Sequence, residues 1–259
     1  MKTMVGKRAC ITGASAGIGR ASATRLAEMG AEVVVVARRE DRLRDLVSQI
    51  ESAGGKARAE VVDLGDLERL KVVVASCLED GPIHVLVNNV SGPPPGQLID
   101  ATIHDFQAAF GPHLFAAQTL LQLCLPGMQA AGFGRIINVI STSVREPIPN
   151  LGVSNTVRGA MASWSKTLSR ELPSGITVNN VLPGFTDTER LSALKAHLAA
   201  SRGISEGDVE AGWLATVPEG RLGKPAEVAA AVGFLASPEA GFIRGVNLAV
   251  DGGRTTSIA

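Results

Sequence analysis

Apolar positions in this chain come in short runs, separated by helix-length stretches of mixed character, and the alternation continues from one end to the other. The runs are "RACIT" (8–12), "AEVVVVA" (31–37), "HVLVNN" (84–89), "RIINVI" (135–140) and "ITVNNVL" (176–182). A β-branched run without polar alternation is the pattern of a strand covered on both faces. "ARAEVV" (57–62) and "VNLAV" (246–250) are expected as two more strands. Between them the spacing predicts a helix over 17–29, with Ile18, Ala21, Leu26 and Met29 on its apolar side. Further helices are predicted over 40–53, 66–79, a long region near 102–131, 153–172 and 225–236. In the 153–172 segment Val157, Ala160, Met161, Trp164 and Leu168 recur at helical spacing. Strands that alternate with helices are joined by right-handed crossovers into a parallel sheet. No linker, repeat or low-complexity segment interrupts the alternation. The expected fold is therefore α/β: a single doubly wound, Rossmann-type parallel sheet flanked by helices over 1–259, with a lid (185–222) inserted before the last helix.

Composition narrows the partners. Formal net charge is zero, and no basic block is interleaved with aromatics, so nucleic acid is not expected. The N-terminal "MKTMVGKRACITG" enters the first strand without a signal-peptide pattern, and the apolar runs fall far short of a membrane span. A cytoplasmic location without membrane attachment is expected. Cys10, Cys77 and Cys124 are odd in number and far apart, which reads as reduced, mostly buried thiols rather than a disulfide framework or a metal site.

Candidate chemistry begins at "TGASAGIG" (12–19), which follows the first strand and opens the first helix. Gly13 permits the turn, Gly17 lets backbone approach a pyrophosphate, and Gly19 allows close helix–strand packing; Ser15 and Ile18 complete the turn. The helix N-terminus then offers free N–H groups to phosphate. An acidic residue at the end of the second strand would bind the ribose hydroxyls of NAD; here the strand ends in Ala37, Arg38 and Arg39. A guanidinium can clamp a 2′-phosphate bidentately and stack on adenine. NADP(H) is therefore favoured over NAD(H), against the plainer alternative that both arginines open a solvated, charged helix.

With these residues in place, the chain resembles the short-chain dehydrogenase/reductase superfamily along nearly its whole length. The landmarks are "TGASAGIG", "VDL" (62–64), "NNVSG" (88–92), "GRIINVIS" (134–141) and "ITVNNVLPG" (176–184). "GRLGKPAEVAAAVGFLASPEAG" (220–241) and "VDGG" (250–253) resemble the 3-oxoacyl-carrier-protein-reductase branch. The resemblance implies that Asp63 and Leu64 lie near the adenine, that Asn89 supports the central strand, and that Gly184 and the turn from Thr186 to Thr188 meet the nicotinamide side. It also implies homodimers or homotetramers.

The same resemblance implies a catalytic set of Asn, Ser, Tyr and Lys, and there the chain departs. Ser141 fits the serine. The tyrosine position holds Ser154, the lysine position Arg158 and the asparagine position His113, and the chain contains no tyrosine at all. Ser154 and Arg158 are four apart and share one helix face. A phenol of pKa about 10 can be tuned towards neutrality by one cation, whereas a serine hydroxyl is a far weaker acid. Arg158 stays charged and can hold a ribose or stabilise an oxyanion, but does not relay protons. His113 is the side chain best matched to proton transfer near neutrality; alternatively it only satisfies a backbone carbonyl after Gly111 and Pro112. Leu191, Leu194, Leu198, Trp213 and Leu214 either wall an apolar substrate pocket or pack the lid, and "GPPPG" (92–96) is expected as a stiff loop at the pocket mouth. The expected function is an NADP(H)-dependent oxidoreductase acting on a small carbonyl compound or secondary alcohol, 3-oxoacyl-like compounds included. The alternatives are a dinucleotide-binding sensor or partner subunit without catalysis, and a dehydration or isomerisation on the same scaffold.

Overall fold

A computed structural model describes residues 2–258; Met1 and Ala259, the ends of the expected single unit, lie outside the described residues. Seven strands form one parallel sheet: β1 (Arg8–Thr12), β2 (Glu32–Ala37), β3 (Lys56–Val61), β4 (Val85–Asn89), β5 (Gly134–Val139), β6 (Ile176–Pro183) and β7 (Asn247–Val250). Their order across the sheet is β3-β2-β1-β4-β5-β6-β7. The chain winds outward from β1 in one direction and from β4 in the other, so the crevice between the C-terminal ends of β1 and β4 is the switch point where α/β sheets bind ligands.

The strands read as unbroken apolar runs because both faces of the sheet are covered. Ile11, Val33, Val35, Val85, Val87 and Ile137 project to one side. There they pack on α1 (Gly17–Glu28), α2 (Glu40–Ser52) and α9 (Pro225–Ala236), through residues such as Leu26, Leu43, Leu46 and Val232. Their neighbours Cys10, Val34, Val36, Leu86 and Ile136 project to the other side. There they meet α3 (Leu67–Glu79), α5 (Ala116–Ala130) and Trp164 and Leu168 of α6 (Gly152–Glu171). This is the two-residue side-chain period of a strand, with neither phase left to water. All three cysteines are buried and free.

Two departures from regular helix shape the site. The long helical region is broken: α4 (Ile103–Phe110) passes through a π-helical turn, Gly111–Phe115, into α5. Pro112 lacks an N–H and its ring crowds the preceding turn, which forces the wider winding. The expected insertion at 185–222 folds as two helices, α7 (Glu189–Arg202) and α8 (Glu206–Leu214), closed at its base by a bridge between Thr186 and Gly223. Thr188 caps α7, accepting a hydrogen bond from the Leu191 N–H at 3.2 Å, and Gly203 ends it at φ 65°. Among the described residues no helix is long and apolar enough to cross a membrane.

Candidate active site

The glycine-rich turn is built so that backbone, not side chain, faces the crevice. Gly13 has φ +61°, and a Cβ at either Gly13 or Gly19 would fall 2.7 Å from Asn89 Nδ2. A side chain at Gly17 would meet Thr188 Cγ2 at 3.1 Å. Asn89 ties this turn to β4: its side chain donates to the carbonyls of Thr12 and Gly13 at 3.3 and 3.4 Å, and its N–H donates to Thr12 Oγ1 at 2.9 Å. Ile18 packs against the core below. The cradle, at the switch point and at a helix N-terminus, fits the pyrophosphate of a dinucleotide.

At the mouth of this turn Arg39 Nε donates to Ser15 Oγ at 3.1 Å. Its Nη1 reaches Glu189 Oε2 at 3.0 Å, and Arg42 Nη1 reaches Glu189 Oε1 at 3.2 Å. The two guanidiniums hold the Glu189 carboxyl below the usual carboxylate range. Arg38 takes a different course and pairs with Asp63 at 3.5 Å across the surface, beside the buried Leu64. Of the two arginines singled out from the sequence, Arg39 therefore lies against the glycine-rich turn. Arg42 joins it from the next helical turn, a signal present in the sequence as three-residue spacing. Gly184 donates its N–H to Val250 O at 3.0 Å, and Thr186 is buried with its hydroxyl on Gly184 O.

The catalytic candidates lie just after β5 (Ser141), in the first turns of α6 (Ser154 and Arg158) and in the π-turn (His113), and Ser141 and His113 line different cavities. Ser141 follows β5, where its Oγ accepts the Ser143 N–H at 3.0 Å. It lines a cavity of about 340 Å³ with Leu191, Leu194, Leu198 and Trp213 of the two inserted helices; Leu214 is not part of this wall. Ser154 and Arg158 lie beneath the loop after β4. A Cβ at Gly92 would have Arg158 Nη2, Ser154 Oγ and Arg190 Nη2 at 3.6, 3.7 and 3.8 Å. Arg158 is 6% exposed and donates to Val139 O and Val90 O, each at 3.1 Å. Its Nε has no partner, and among the described residues no carboxylate lies within 4.0 Å of it. Burial, and then the neighbouring Arg190, lower its pKa to about 10, so it remains a cation at neutral pH.

Of the two roles open to His113, the geometry favours the plainer one, satisfying a backbone carbonyl, over proton donation. It stands in the π-turn, 4% exposed, with Nδ1 at 2.8 Å from Ala109 O. A carbonyl only accepts, so Nδ1 carries the proton and Nε2 presents a lone pair, buried and unpartnered. Burial, and then the Arg158 charge, lower its pKa to about 3. The imidazole is neutral and has no proton to give from Nε2 at pH 7. It lines a second cavity of about 390 Å³, with Pro93, Pro94 and Pro95 of the 92–96 loop, and that loop separates it from Ser141.

One polar feature escaped the sequence pattern altogether. Asn88 Nδ2 donates to Asn138 Oδ1 at 2.7 Å, Asn138 Nδ2 donates to Asn180 Oδ1 at 2.9 Å, and Asn180 Nδ2 donates to Asn247 Oδ1 at 2.8 Å. The four asparagines are in register on β4, β5, β6 and β7. Ser165 of α6 closes the ladder, accepting from Asn138 at 2.8 Å and donating to Asn180 at 2.7 Å. The ladder crosses the sheet one residue before Val139, whose carbonyl holds Arg158. Scattered through apolar runs, these asparagines carry no local signal.

The geometry agrees with what the chain is similar to. The family profile described as Enoyl-(Acyl carrier protein) reductase matches residues 13–255. The short-chain reductase protein NovJ of Streptomyces niveus is 37% identical over 250 residues, 95% of this chain and 93% of that protein. The 3-oxoacyl-(acyl-carrier-protein) reductase FabG of Vibrio harveyi is 36% identical over 252 residues, 96% and 97% of the two chains. The crystal structure of L-sorbose reductase from Gluconobacter frateurii, complexed with NADPH and L-sorbose, superposes with a TM-score of 0.93 at 30% identity over the full length of both chains. The chain belongs to the short-chain dehydrogenase/reductase superfamily, among proteins like the 3-oxoacyl-(acyl-carrier-protein) reductases.

Proposed function

We propose that the protein is an NADP(H)-dependent oxidoreductase interconverting a carbonyl compound and a secondary alcohol, in a divergent group that does without the Tyr-x-x-x-Lys pair. The observation that carries this reading is Arg158: a buried guanidinium, without a counter-ion among the described residues, fixed on two strand-end carbonyls beside the dinucleotide cradle. A preorganised positive charge in a dry site stabilises charge that develops on a carbonyl oxygen. The turn with Gly13, Gly17 and Gly19 would hold the pyrophosphate, Thr186 and Thr188 would close over it, and Arg39, Ser15 and Arg42 would take the 2′-phosphate. When bound, NADPH supplies the hydride. Ser141 and Ser154 donate hydrogen bonds to the substrate oxygen, and Arg158 lies against the ribose side. Neutral His113 keeps its one ring proton on Ala109 O and leaves Nε2 without a proton to give, so the proton that completes the alcohol comes from solvent. Losing a dedicated acid costs about 10²–10⁴ in rate, and positioning with charge stabilisation remains. Leu191, Leu194, Leu198 and Trp213 support the reading of residues 185–222 as a substrate lid. Exposed Phe234 and Phe242 support a homodimer or homotetramer, and three free cysteines suit the cytoplasm.

The test is a fluorescence titration of the purified protein with NADPH and NADH, followed by a panel of ketones and alcohols on the same sample. Binding of NADPH in preference to NADH, with turnover of some carbonyl compound, is expected. Failure to bind either nucleotide would overturn the proposal; binding without any turnover would leave a nucleotide-binding protein rather than an enzyme.

A further inference from the structure

The 340 Å³ cavity in front of Ser141 has an unbalanced charge. Its walls are apolar on the inserted helices, through Leu191, Leu194, Leu198 and Trp213, and its two charged lining residues are both arginines, Arg202 and Arg254. No aspartate or glutamate lines it. Arg254 is held rigidly. It comes from the segment after β7, its Nη1 donates to Thr142 Oγ1 at 3.2 Å, and its guanidinium stacks 4.6 Å from the Phe185 ring. Phe185 in turn stacks on Trp213, with ring centroids 5.0 Å apart.

The two acids near Arg254, Asp251 and Glu146, feel its charge but commit their oxygens to other donors. Asp251 accepts from the Thr255 N–H and hydroxyl at 2.9 and 2.8 Å, and from the Gly253 N–H at 3.1 Å. Glu146 accepts from Thr256 N–H, Thr256 hydroxyl and Ser257 N–H at 2.7, 2.8 and 2.8 Å. Among the described residues no carboxylate comes within 4.0 Å of Arg254 or Arg202, whereas the buried Arg8 has Glu32 at 3.0 Å and Arg221 has Glu227 at 2.7 Å. A planar guanidinium, stacked on an aromatic face and pointing its charge into an acid-free pocket, is what bidentate carboxylate recognition requires.

We infer that the substrate is an oxo carboxylic acid with an apolar body, its carboxylate bound by Arg254 with Arg202 adding charge at the rim, and its carbonyl oxygen on Ser141. The inference rests on the proposed oxidoreductase function and names its substrate class. Arg254 is anchored on Thr142, the residue next to Ser141, so the carboxylate and the carbonyl are close neighbours in the substrate, as in 2-oxo and 3-oxo acids. The apolar remainder lies against the leucines and Trp213. An ester or carrier-bound thioester of the same skeleton lacks this charge.

Two measurements test it. The first needs no turnover: with the protein saturated in NADP, tryptophan fluorescence, to which Trp213 contributes, is titrated with phenylacetate and with its uncharged amide, phenylacetamide. A charge-assisted pair predicts that the carboxylate binds about 10-fold or more tightly, and that Arg254→Met removes the difference while Arg254→Lys keeps part of it. NADPH titration of each variant reports that it is folded. The second compares kcat/KM for a 3-oxo acid and its methyl ester. The acid is expected to lead by a similar factor, and Arg254→Met to lower the acid-to-ester ratio through KM. Equal binding of phenylacetate and phenylacetamide, or an ester used as well as its acid, overturns the inference. Turnover of esters without acid preference refutes it and leaves the oxidoreductase function standing; loss of NADPH binding by the unmodified protein strikes the function itself.

Discussion

Replacing Asn138 by leucine removes the centre of the asparagine ladder while roughly keeping side-chain volume. Asn138 is fully buried and makes three side-chain hydrogen bonds, to Asn88, Asn180 and Ser165. At about 1 kcal/mol net each, their loss amounts to about 3 kcal/mol. The damage is uneven. Asn180 Oδ1 still has the Ser165 hydroxyl as a donor, and that single proton has Met161 O at 2.8 Å as its alternative acceptor. Asn88, 7% exposed, loses its acceptor outright, and a stranded buried donor adds about 1–3 kcal/mol. The gain from a buried leucine offsets part of this, so the expected net loss is about 3 kcal/mol, or roughly 6–12 °C in Tm for a chain of this size. Urea unfolding at fixed protein concentration measures it, with an unchanged m-value showing that the unfolded reference is the same. Ser165→Ala, which leaves every asparagine amide at least one partner, should cost about 1 kcal/mol. A loss below about 1 kcal/mol for Asn138→Leu would show that the ladder does not contribute to holding the strand ends together, and with it the platform under Arg158.

Other expectations concern the nucleotide and His113. Arg39→Ala should weaken NADPH about 10- to 100-fold, the worth of a charge-assisted contact, and leave NADH within a factor of a few; equal losses for both, by fluorescence titration, would count against a 2′-phosphate site. Gly19→Ala places a Cβ 2.7 Å from Asn89 Nδ2, which breaks the clasp between β4 and the glycine-rich turn; NADPH binding should be lost by at least about 10-fold, and a variant that binds normally would refute the cradle. His113, held down to about pKa 3, binds a proton in the unfolded chain but not in the folded one between those pH values. Its contribution to stability is therefore complete above the unfolded pKa of about 6.5 and is lost as pH falls towards 3. His113→Asn should flatten that part of the stability–pH curve, as followed by urea midpoints, and pH–rate profiles near neutrality should carry no inflection from His113.

Sequence alone determined the parts of this protein that depend on local periodicity and on backbone geometry. Continuous β-branched runs such as 31–37 specify strands covered on both faces, and helical spacing such as Val157, Met161, Trp164 and Leu168 specifies one buried helix face. Gly13 and Gly19 specify where backbone must approach backbone. These signals lie within a few residues of one another, so they are legible without a fold, and so is the four-residue spacing of Ser154 and Arg158. Only the tertiary structure decided which distant groups meet. Asn88, Asn138, Asn180 and Asn247 become a ladder because the strand order brings β4 to β7 side by side in one register. Arg158 becomes a buried, anchored cation because two strand ends offer it carbonyls, and His113 becomes neutral because the fold buries it and sets the Arg158 charge beside it, against the pull of the Ala109 carbonyl. The 92–96 loop then sets His113 and Ser141 in different cavities. Protonation, charge balance and shared access follow from desolvation and proximity through space, and neither quantity is written in the spacing of residues along a chain.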